Sequence, residues 1–207
     1  MGQAAKNAAP SSAPTPSAEE QQRADVYGLL ARLLVRAPDA ALLHRLADLR
    51  GDESPMGEAF AALAAVAASA DPRAVEREYH DLFIGLGRGE LVPYGSYYLT
   101  GFLNEKPLAK LRATMAELGI ERDPAVHDPE DHIAAELDIM AGLIRGDFPT
   151  GPAVLQRQRA FFSAHLQPWA GHFFKDLERI ERAGFYRPVA TLGRLLVEIE
   201  GAAFDMA

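Results

Sequence analysis

The segment DPEDHIAAELDIMAGLIR, residues 128–145, carries the signals that decide the fold class. Its large apolar residues recur at i, i+4, i+7 and i+11, which is one face of an α-helix: Ile133, Leu137, Met140 and Ile144. The preceding pair Asp128-Pro129 is typical of a helix N-terminus. Aspartate caps free backbone N–H groups there, and proline lacks the N–H that would stay unpaired. The segment therefore predicts a helix over 129–145.

The same signals recur on both sides of this segment. Ser17 with Glu20 predicts a capping box, and capping residues precede a proline at 54–55, 71–72 and, more weakly, 151–152. No sustained alternation of apolar and polar residues indicates strands. We predict an all-α fold, a single globular domain of about eight or nine helices. The predicted helices lie near 19–36, 39–50, 55–69, 72–84, 105–118, 129–145, 152–166, 169–183 and 188–203.

Composition limits the class of protein. The chain has 207 residues, no cysteine and a formal net charge of -8. Absence of cysteine excludes disulfides, cysteine zinc sites and thiol catalysis, and it fits the cytoplasm. The acidic balance argues against general nucleic-acid binding and favours a cationic partner. No apolar run of 18 residues occurs, so we expect no transmembrane helix.

Three segments interrupt the helical pattern. Residues 1–18 are rich in Ala, Ser and Pro and lack the apolar stretch of a secretory signal, so we predict a disordered tail before a helical domain over 19–207. Residues 85–96 form a glycine-rich loop. Because its glycines follow a helix and not a strand, they favour a turn over a phosphate-binding loop. The loop near 119–128 is the candidate hinge.

Acidic residues are concentrated in the window 117–138, where a single arginine, Arg122, opposes them. They are Glu117, Glu121, Asp123, Asp128, Glu130, Asp131, Glu136 and Asp138. One interpretation is a docking surface for an arginine-containing segment, because arginine pairs with carboxylates through two parallel hydrogen bonds. The other is a solvated acidic turn that caps a helix.

Two further sets of residues have alternative interpretations. His132 and Glu136 share a helix face and follow Asp131, which would suit a metal or acid–base site, but no HExxH motif occurs. His132 would otherwise hold the hinge. The tyrosines at 94, 97 and 98 suit either an interface or half-buried packing. The aromatic residues at 161–174 are predicted to be core. We therefore predict no catalytic residue, no metal and no cofactor.

Four motifs occur in order between residues 78 and 186. They are EYHDLFIG at 78–85, PYGSYY at 93–98, DPEDHI at 128–133, and late F…HL…W and FY positions at 161–169 and 185–186. Together they resemble the TorD/DmsD (NarJ-like) family of redox-enzyme maturation chaperones. Gly95 stands where that pattern commonly has an acidic residue, and Asp128 stands where it usually has glutamate.

The resemblance implies an all-helical cytoplasmic chaperone that is not itself an enzyme. It would bind the twin-arginine signal peptide of an exported molybdenum oxidoreductase and hold back export until the cofactor is inserted. The client would be of the formate dehydrogenase or DMSO/TMAO reductase type. Nucleic-acid binding and stable membrane insertion are not expected. The loop at 119–127 would permit a domain-swapped dimer as well as a monomer.

The predicted peptide-binding residues combine this resemblance with the charge pattern. They are Asp131, His132, Glu130, Glu136, Pro93, Tyr94, Ser96, Tyr97, Leu82 and Phe83. The hypothesis is that acids near Asp131 meet the arginines and the Tyr94/Tyr97 region meets the apolar part of the leader. Two alternatives stay open: an adaptor that binds the mature catalytic subunit without recognising its leader, and a metal-dependent enzyme built on His132, Glu136 and Asp131.

Overall fold

A computed structural model describes residues 15–85, 89–123 and 125–206. Within those ranges the chain forms ten α-helices and no β-strand, so the predicted all-α fold is confirmed. The helices are α1 (Ala18–Val35), α2 (Ala40–Ala47), α3 (Pro55–Ala68), α4 (Pro72–Tyr79), α5 (Gly95–Thr100), α6 (Lys106–Glu117), α7 (Ile133–Arg145), α8 (Leu155–Phe161), α9 (Ala170–Arg179) and α10 (Tyr186–Met206). The predicted tail falls mostly on residues 1–14, outside the described residues.

Three of the predicted helix starts are confirmed by their caps. The Ser17 hydroxyl accepts from the Glu20 N–H at 3.2 Å while the Glu20 carboxylate accepts from the Ser17 N–H at 2.9 Å, which is the predicted capping box. Ser54 and Asp71 accept from N–H groups in the first turns of α3 and α4. Each cap satisfies a backbone donor that the helix itself leaves unpaired.

The predicted start at Asp128-Pro129 is wrong. Residues 128–132 form a turn, and α7 begins only at Ile133. The cap is the His132 side chain, whose Nδ1 accepts from the Ala134 N–H at 3.1 Å. The backbone at His132 is extended because it pairs with another segment of the chain, and this pairing prevents the helix from beginning earlier. Likewise, Pro152 does not begin α8, which starts at Leu155.

The number of helices was underpredicted because α5 lies partly in the loop expected at 85–96. Two predicted helices end at the predicted residue, but the last part of each is π-helical and not α-helical. α4 runs on as a π-helical turn over His80–Ile84, and α8 runs on as one over Phe162–Leu166. Gly85, with φ of 61°, ends the first of these turns. The glycine at 87 lies outside the described residues.

The core is built around α7, which packs along α1, while α10 packs along α9. The aromatic residues predicted to be core are all buried: Phe161, Phe162, Trp169, Phe173 and Phe174. Gly193 allows the close approach of α10 to α9, since a Cβ there would lie 2.1 Å from the Phe174 ring. No helix within the described ranges is long and apolar enough to cross a bilayer.

Candidate functional site

Two of the sequence motifs meet through a short antiparallel backbone pairing. Tyr94 and His132 form an isolated β-bridge. On either side of it the Gly95 N–H donates to the Asp131 carbonyl at 2.8 Å, and the Ile133 N–H donates to the Pro93 carbonyl at 2.9 Å. The structure therefore joins the segment at 93–98 to the turn before α7, directly after the candidate hinge near 119–128.

Asp131 holds this pairing from inside the protein. Its side chain is buried, at 1% exposure, and Oδ2 accepts from the Ser96 N–H at 2.7 Å at the start of α5. Ser96 is itself fully buried. The Ser96 hydroxyl and Asp131 Oδ1 have no hydrogen-bond partner among the described residues. Asp131 thus positions the 93–98 segment and does not lie on the surface.

Glu136 is a second buried carboxyl, at 2% exposure. Its Oε2 accepts from the Trp169 Nε1–H at 3.0 Å. Burial raises the pKa of Glu136 well above its usual value, the Trp169 hydrogen bond opposes this, and the nearby charge of Asp131 adds to it. Burial thus favours the neutral form of this carboxyl, and at 2% exposure it is not accessible to an incoming arginine.

Close packing explains why residue 95 is a glycine. A Cβ at Gly95 would lie 3.0 Å from Trp169 Nε1 and 3.3 Å from Glu136 Oε1, closer than ordinary contact. The space that an acidic side chain would take in the family pattern is thus filled here by Trp169 and Glu136. Trp169 is buried as predicted, but its bond to Glu136 was not predicted, because no local pattern connects residues 33 positions apart.

His132 acts as a neutral cap. Its ring packs edge-on against Tyr94, with centroids 5.0 Å apart, and burial lowers the pKa of His132 to about 4 against the opposing charges of Asp128 and Asp131. Its Nδ1 is already used in capping α7. Among the described residues no three His, Asp or Glu side chains are grouped as a metal site requires. This arrangement gives no support to the enzyme alternative.

Replacing His132 with asparagine should make stability less sensitive to acid. The pKa of His132 is 6.5 before folding and about 4 in the folded protein. Between these values the unfolded chain binds a proton that the folded chain does not, so stability contributed by neutral His132 is lost as pH falls from 6.5 towards 4. The effect is at most about 3 kcal/mol. Asparagine keeps a capping acceptor without titrating in this range.

Urea unfolding at pH values of about 4.5, 5.5 and 7 would measure the change. His132→Asn should lose less stability than the parent chain on going from about pH 7 to about pH 4.5, while His172→Asn, at an exposed histidine, should match the parent. Because the pKa of Glu136 is raised, its contribution to the pH dependence of stability has the opposite sign. Glu136 is present in the parent and in both variants, so this contribution cancels when they are compared. Identical pH slopes in His132→Asn and the parent would contradict the assigned role.

The exposed part of this region is formed by Tyr94, Tyr97, Asp128 and the loop before it. The Tyr94 hydroxyl donates to Asp128 Oδ1 at 3.2 Å, and both residues are reachable from solvent. Glu130 is already paired: Arg112 contacts it at 2.8 Å and Arg122 at 3.8 Å. Burial opposes ionisation of Glu130, but the hydrogen bond from Arg112, a backbone hydrogen bond and the charges of Arg112 and Arg122 together outweigh it, so the pKa of Glu130 is lowered.

Leu82 and Phe83 are structural supports. Leu82 is buried, and the half-buried Phe83 ring lies 5.3 Å from Tyr186 and 6.4 Å from Phe173. Tyr98 also faces the core, with its ring 5.5 Å from Trp169. Of the predicted site residues, most therefore build the frame of the site, His132 included, while Tyr94 and Tyr97 are partly exposed.

This helical fold, with its paired motifs, defines a known class of protein. The family model described as "Nitrate reductase delta subunit" matches residues 50–175, and the chain belongs to this family. The resemblance predicted from the motifs is thereby confirmed.

Two individual proteins are similar to more than half of this chain. The chain is 30% identical over 134 residues to Chaperone protein TorD of Vibrio cholerae serotype O1, covering 62% of this chain and 61% of that protein. It is 30% identical over 132 residues to Chaperone protein TorD of Photobacterium profundum, covering 60% and 61%. The match thus spans about 61% of the length of these relatives.

The fold agrees with a solved structure. A crystal structure assigned to a redox enzyme maturation protein of Archaeoglobus fulgidus superposes with a TM-score of 0.56. The superposition covers 86% of this chain and 94% of that chain at 23% sequence identity. At this identity the likeness supports the fold alone.

Proposed function

We propose that the chain is a TorD-like cytoplasmic chaperone for maturation of a molybdenum oxidoreductase, and is not itself an enzyme. Membership of the family and the relatives named Chaperone protein TorD support this role. The client would be of the formate dehydrogenase or DMSO/TMAO reductase type, and export would be held back until its cofactor is inserted.

We further propose that the region around Tyr94, Tyr97 and Asp128 binds the twin-arginine signal peptide of the client. The observation that supports it best is the Tyr94–His132 bridge, which holds an accessible tyrosine against Asp128. A leader is cationic and then apolar, so it requires acids beside an aromatic surface. The exposed acids at 117–128 and the rings of Tyr94 and Tyr97 supply these two features.

The buried residues have positioning roles in this proposal. Asp131 and Ser96 hold the peptide-facing segment, and Pro93 supplies the carbonyl that pairs with α7. Glu136 anchors Trp169 beneath the segment. Leu82 and Phe83 support it from the core, while Glu130 is anchored by Arg112. The domain-swapped dimer through the 119–127 loop stays a prediction beside the monomer.

Calorimetric titration with a synthetic twin-arginine leader tests the proposal. Binding should weaken when both arginines are lysine, because lysine cannot make the paired contact, and should weaken as salt rises. Glu121→Gln with Asp128→Asn should bind roughly five- to tenfold more weakly, since exposed charge pairs contribute about 0–1 kcal/mol each and bidentate ones more. The amide oxygen introduced by Asp128→Asn would still accept from the Tyr94 hydroxyl.

The matched control is Asp48→Asn with Glu53→Gln, which removes two exposed acids on another part of the chain. It should bind the leader within about twofold of the parent, since long-range effects are screened. Equal weakening by both double variants would reject this placement of the site. No binding to several leaders would reject signal-peptide recognition itself.

A second candidate is an adaptor for the mature catalytic subunit. It is favoured because three acids predicted to bind the leader already have roles within the protein. Asp131 and Glu136 are buried, and Glu130 is paired with Arg112. The discriminating measurement is whether a leaderless catalytic subunit still binds. Retained affinity without the leader would support the adaptor.

A further inference from the structure

Three large apolar side chains are exposed together at the turn between α5 and α6. Leu99, Phe102 and Leu103 are 45%, 70% and 46% exposed, and we call these three residues the apolar tip. Every residue from 99 to 106 is exposed. A Cβ built at Gly101 would meet nothing within 4 Å, so the turn protrudes from the surface and is not covered by a neighbouring element.

The turn has a defined backbone that presents the apolar tip to solvent. The Thr100 hydroxyl donates to the Ser96 carbonyl at 2.8 Å and accepts from the Phe102 N–H at 3.2 Å. Gly101 and Asn104 adopt left-handed backbone conformations, with φ of 82° and 59°. Because the turn is already ordered, a contact through the tip would cost little conformational entropy. Clustered apolar side chains on such a surface indicate a place that interacts with another apolar phase.

The segment around the apolar tip is basic, in contrast to the chain as a whole. Residues 97–116 contain three cations and one acid, which are Lys106, Lys110, Arg112 and Glu105. Arg112 is engaged by Glu130, but Lys106 and Lys110 are exposed one helical turn apart on α6. Among the described residues the only lysine in an ion pair is Lys175 on α9. The two α6 lysines are therefore available to an anionic partner.

The acidic window begins at the other end of α6. Glu117 is the last of the 12 residues of this helix, whose axis therefore advances about 18 Å. This distance exceeds the Debye length of about 8 Å at physiological ionic strength, so repulsion between those acids and an anionic surface is largely screened. Glu130 lies nearer but is paired with Arg112. The charge distribution would thus turn the basic end of α6 towards an anionic surface.

We propose that the apolar tip binds the surface of an anionic lipid bilayer, with its apolar side chains in the interfacial region and Lys106 and Lys110 against the lipid phosphates. A protruding turn suits a deformable bilayer better than a folded partner, since a folded partner would have to provide a matching groove. The contact is peripheral, because a turn of this size reaches only the boundary between headgroups and acyl chains. This role is additional to the proposed chaperone function and does not depend on recognition of the leader.

Co-sedimentation of the full chain with lipid vesicles tests the proposal. The probe vesicles contain equal parts of phosphatidylcholine and phosphatidylglycerol, and the comparison vesicles contain phosphatidylcholine alone. The chain should bind the anionic vesicles at least about fivefold more tightly, and this preference should weaken as salt rises. Phe102→Ser with Leu103→Ser should weaken binding at least about tenfold, because apolar area no longer leaves water. Lys106→Gln with Lys110→Gln should weaken it at least about fivefold, because two charges are lost.

Each double variant has a control. Val35→Ser with Ile84→Ser removes two apolar side chains that are 56% and 54% exposed outside the tip. Lys175→Gln removes an exposed lysine on α9. Both controls should bind the anionic vesicles as the parent does, and circular dichroism should show all variants folded. A parent chain that stays in the supernatant, or equal losses in a tip variant and its control, would overturn the proposal.

Two other occupants of the apolar tip would give different results. The twin-arginine leader should bind Phe102→Ser with Leu103→Ser as tightly as it binds the parent. Loss of leader binding in that variant, with no vesicle binding by the parent, would assign the tip to the apolar part of the leader and overturn the proposal. A concentration-dependent dimer that the same variant abolishes would identify a second copy of the chain as the occupant, again overturning it.

Discussion

Trp169→Ala is expected to lower the free energy of unfolding by about 3–5 kcal/mol. The side chain is 1% exposed, and its ring lies 5.5 Å from Tyr98 and 6.1 Å from Phe173. Truncation would leave a cavity beneath Gly95 and remove the N–H that bonds Glu136. Equilibrium urea unfolding measures the loss, and Phe102→Ala, at an aromatic residue that is 70% exposed, should change stability by less than about 1 kcal/mol.

A double-mutant cycle separates the hydrogen bond from the packing. Trp169→Phe keeps most of the apolar contact but leaves the buried Glu136 carboxyl without its donor, which should cost about 1–3 kcal/mol beyond the lost volume. In a Glu136→Leu background the same change removes an indole N–H that has lost its acceptor and leaves no carboxyl without a donor, so it should cost measurably less. Identical costs in the two backgrounds would show that the Trp169–Glu136 bond contributes nothing.

Arg23→Met is expected to be the other strongly destabilising change, at about 3 kcal/mol. Arg23 Nε and Nη2 contact the two oxygens of Glu200 at 2.8 and 2.6 Å, and Tyr27 donates to the same carboxylate at 3.0 Å. The hydrogen bonds to Glu200 raise the pKa of Arg23 above its usual value despite partial burial. Without Arg23 the carboxylate, whose side chain is 4% exposed, would have no ion-pair partner among the residues that the structure describes.

The size of this effect is set by solvent access. Because the Arg23 side chain is 26% exposed, water can partly replace it, which keeps the expected loss at the lower end of the range for buried pairs. Arg23→Met with Glu200→Gln should recover much of the stability, since the charge is gone while Tyr27 keeps an acceptor. Arg179→Met breaks an exposed pair with Asp176 and should cost less than about 1 kcal/mol.

The local features of the fold were predictable from the sequence. Ser17, Ser54 and Asp71 cap their helices as expected because each cap joins a side chain to a backbone N–H two or three residues away. Such bonds need no partner from a distant part of the chain. Helical periodicity likewise identified the helices whose buried face is regular. The short α5 was missed because its sequence, GSYYLT, spans barely one turn and a half.

The start of α7 depended on tertiary structure. Asp128-Pro129 carries every local sign of a helix start, yet residues 131–133 pair with 93–95, and this pairing holds the backbone at His132 extended. The competing partner lies more than 30 residues away in the chain. No local signal predicts which of the two arrangements has the lower free energy.

The acidic window from 117 to 138 was evident in the sequence, and so were the motifs that connect the chain to its family. Which of those acids reach solvent was decided only by packing. Asp131 is enclosed by the Ser96 turn, Glu136 lies under Trp169, and Glu130 is held by Arg112, whereas Asp128 stays exposed. Residue type and spacing determine which charges a segment carries, but the dielectric surroundings and partners of each charge are set by residues distant in sequence.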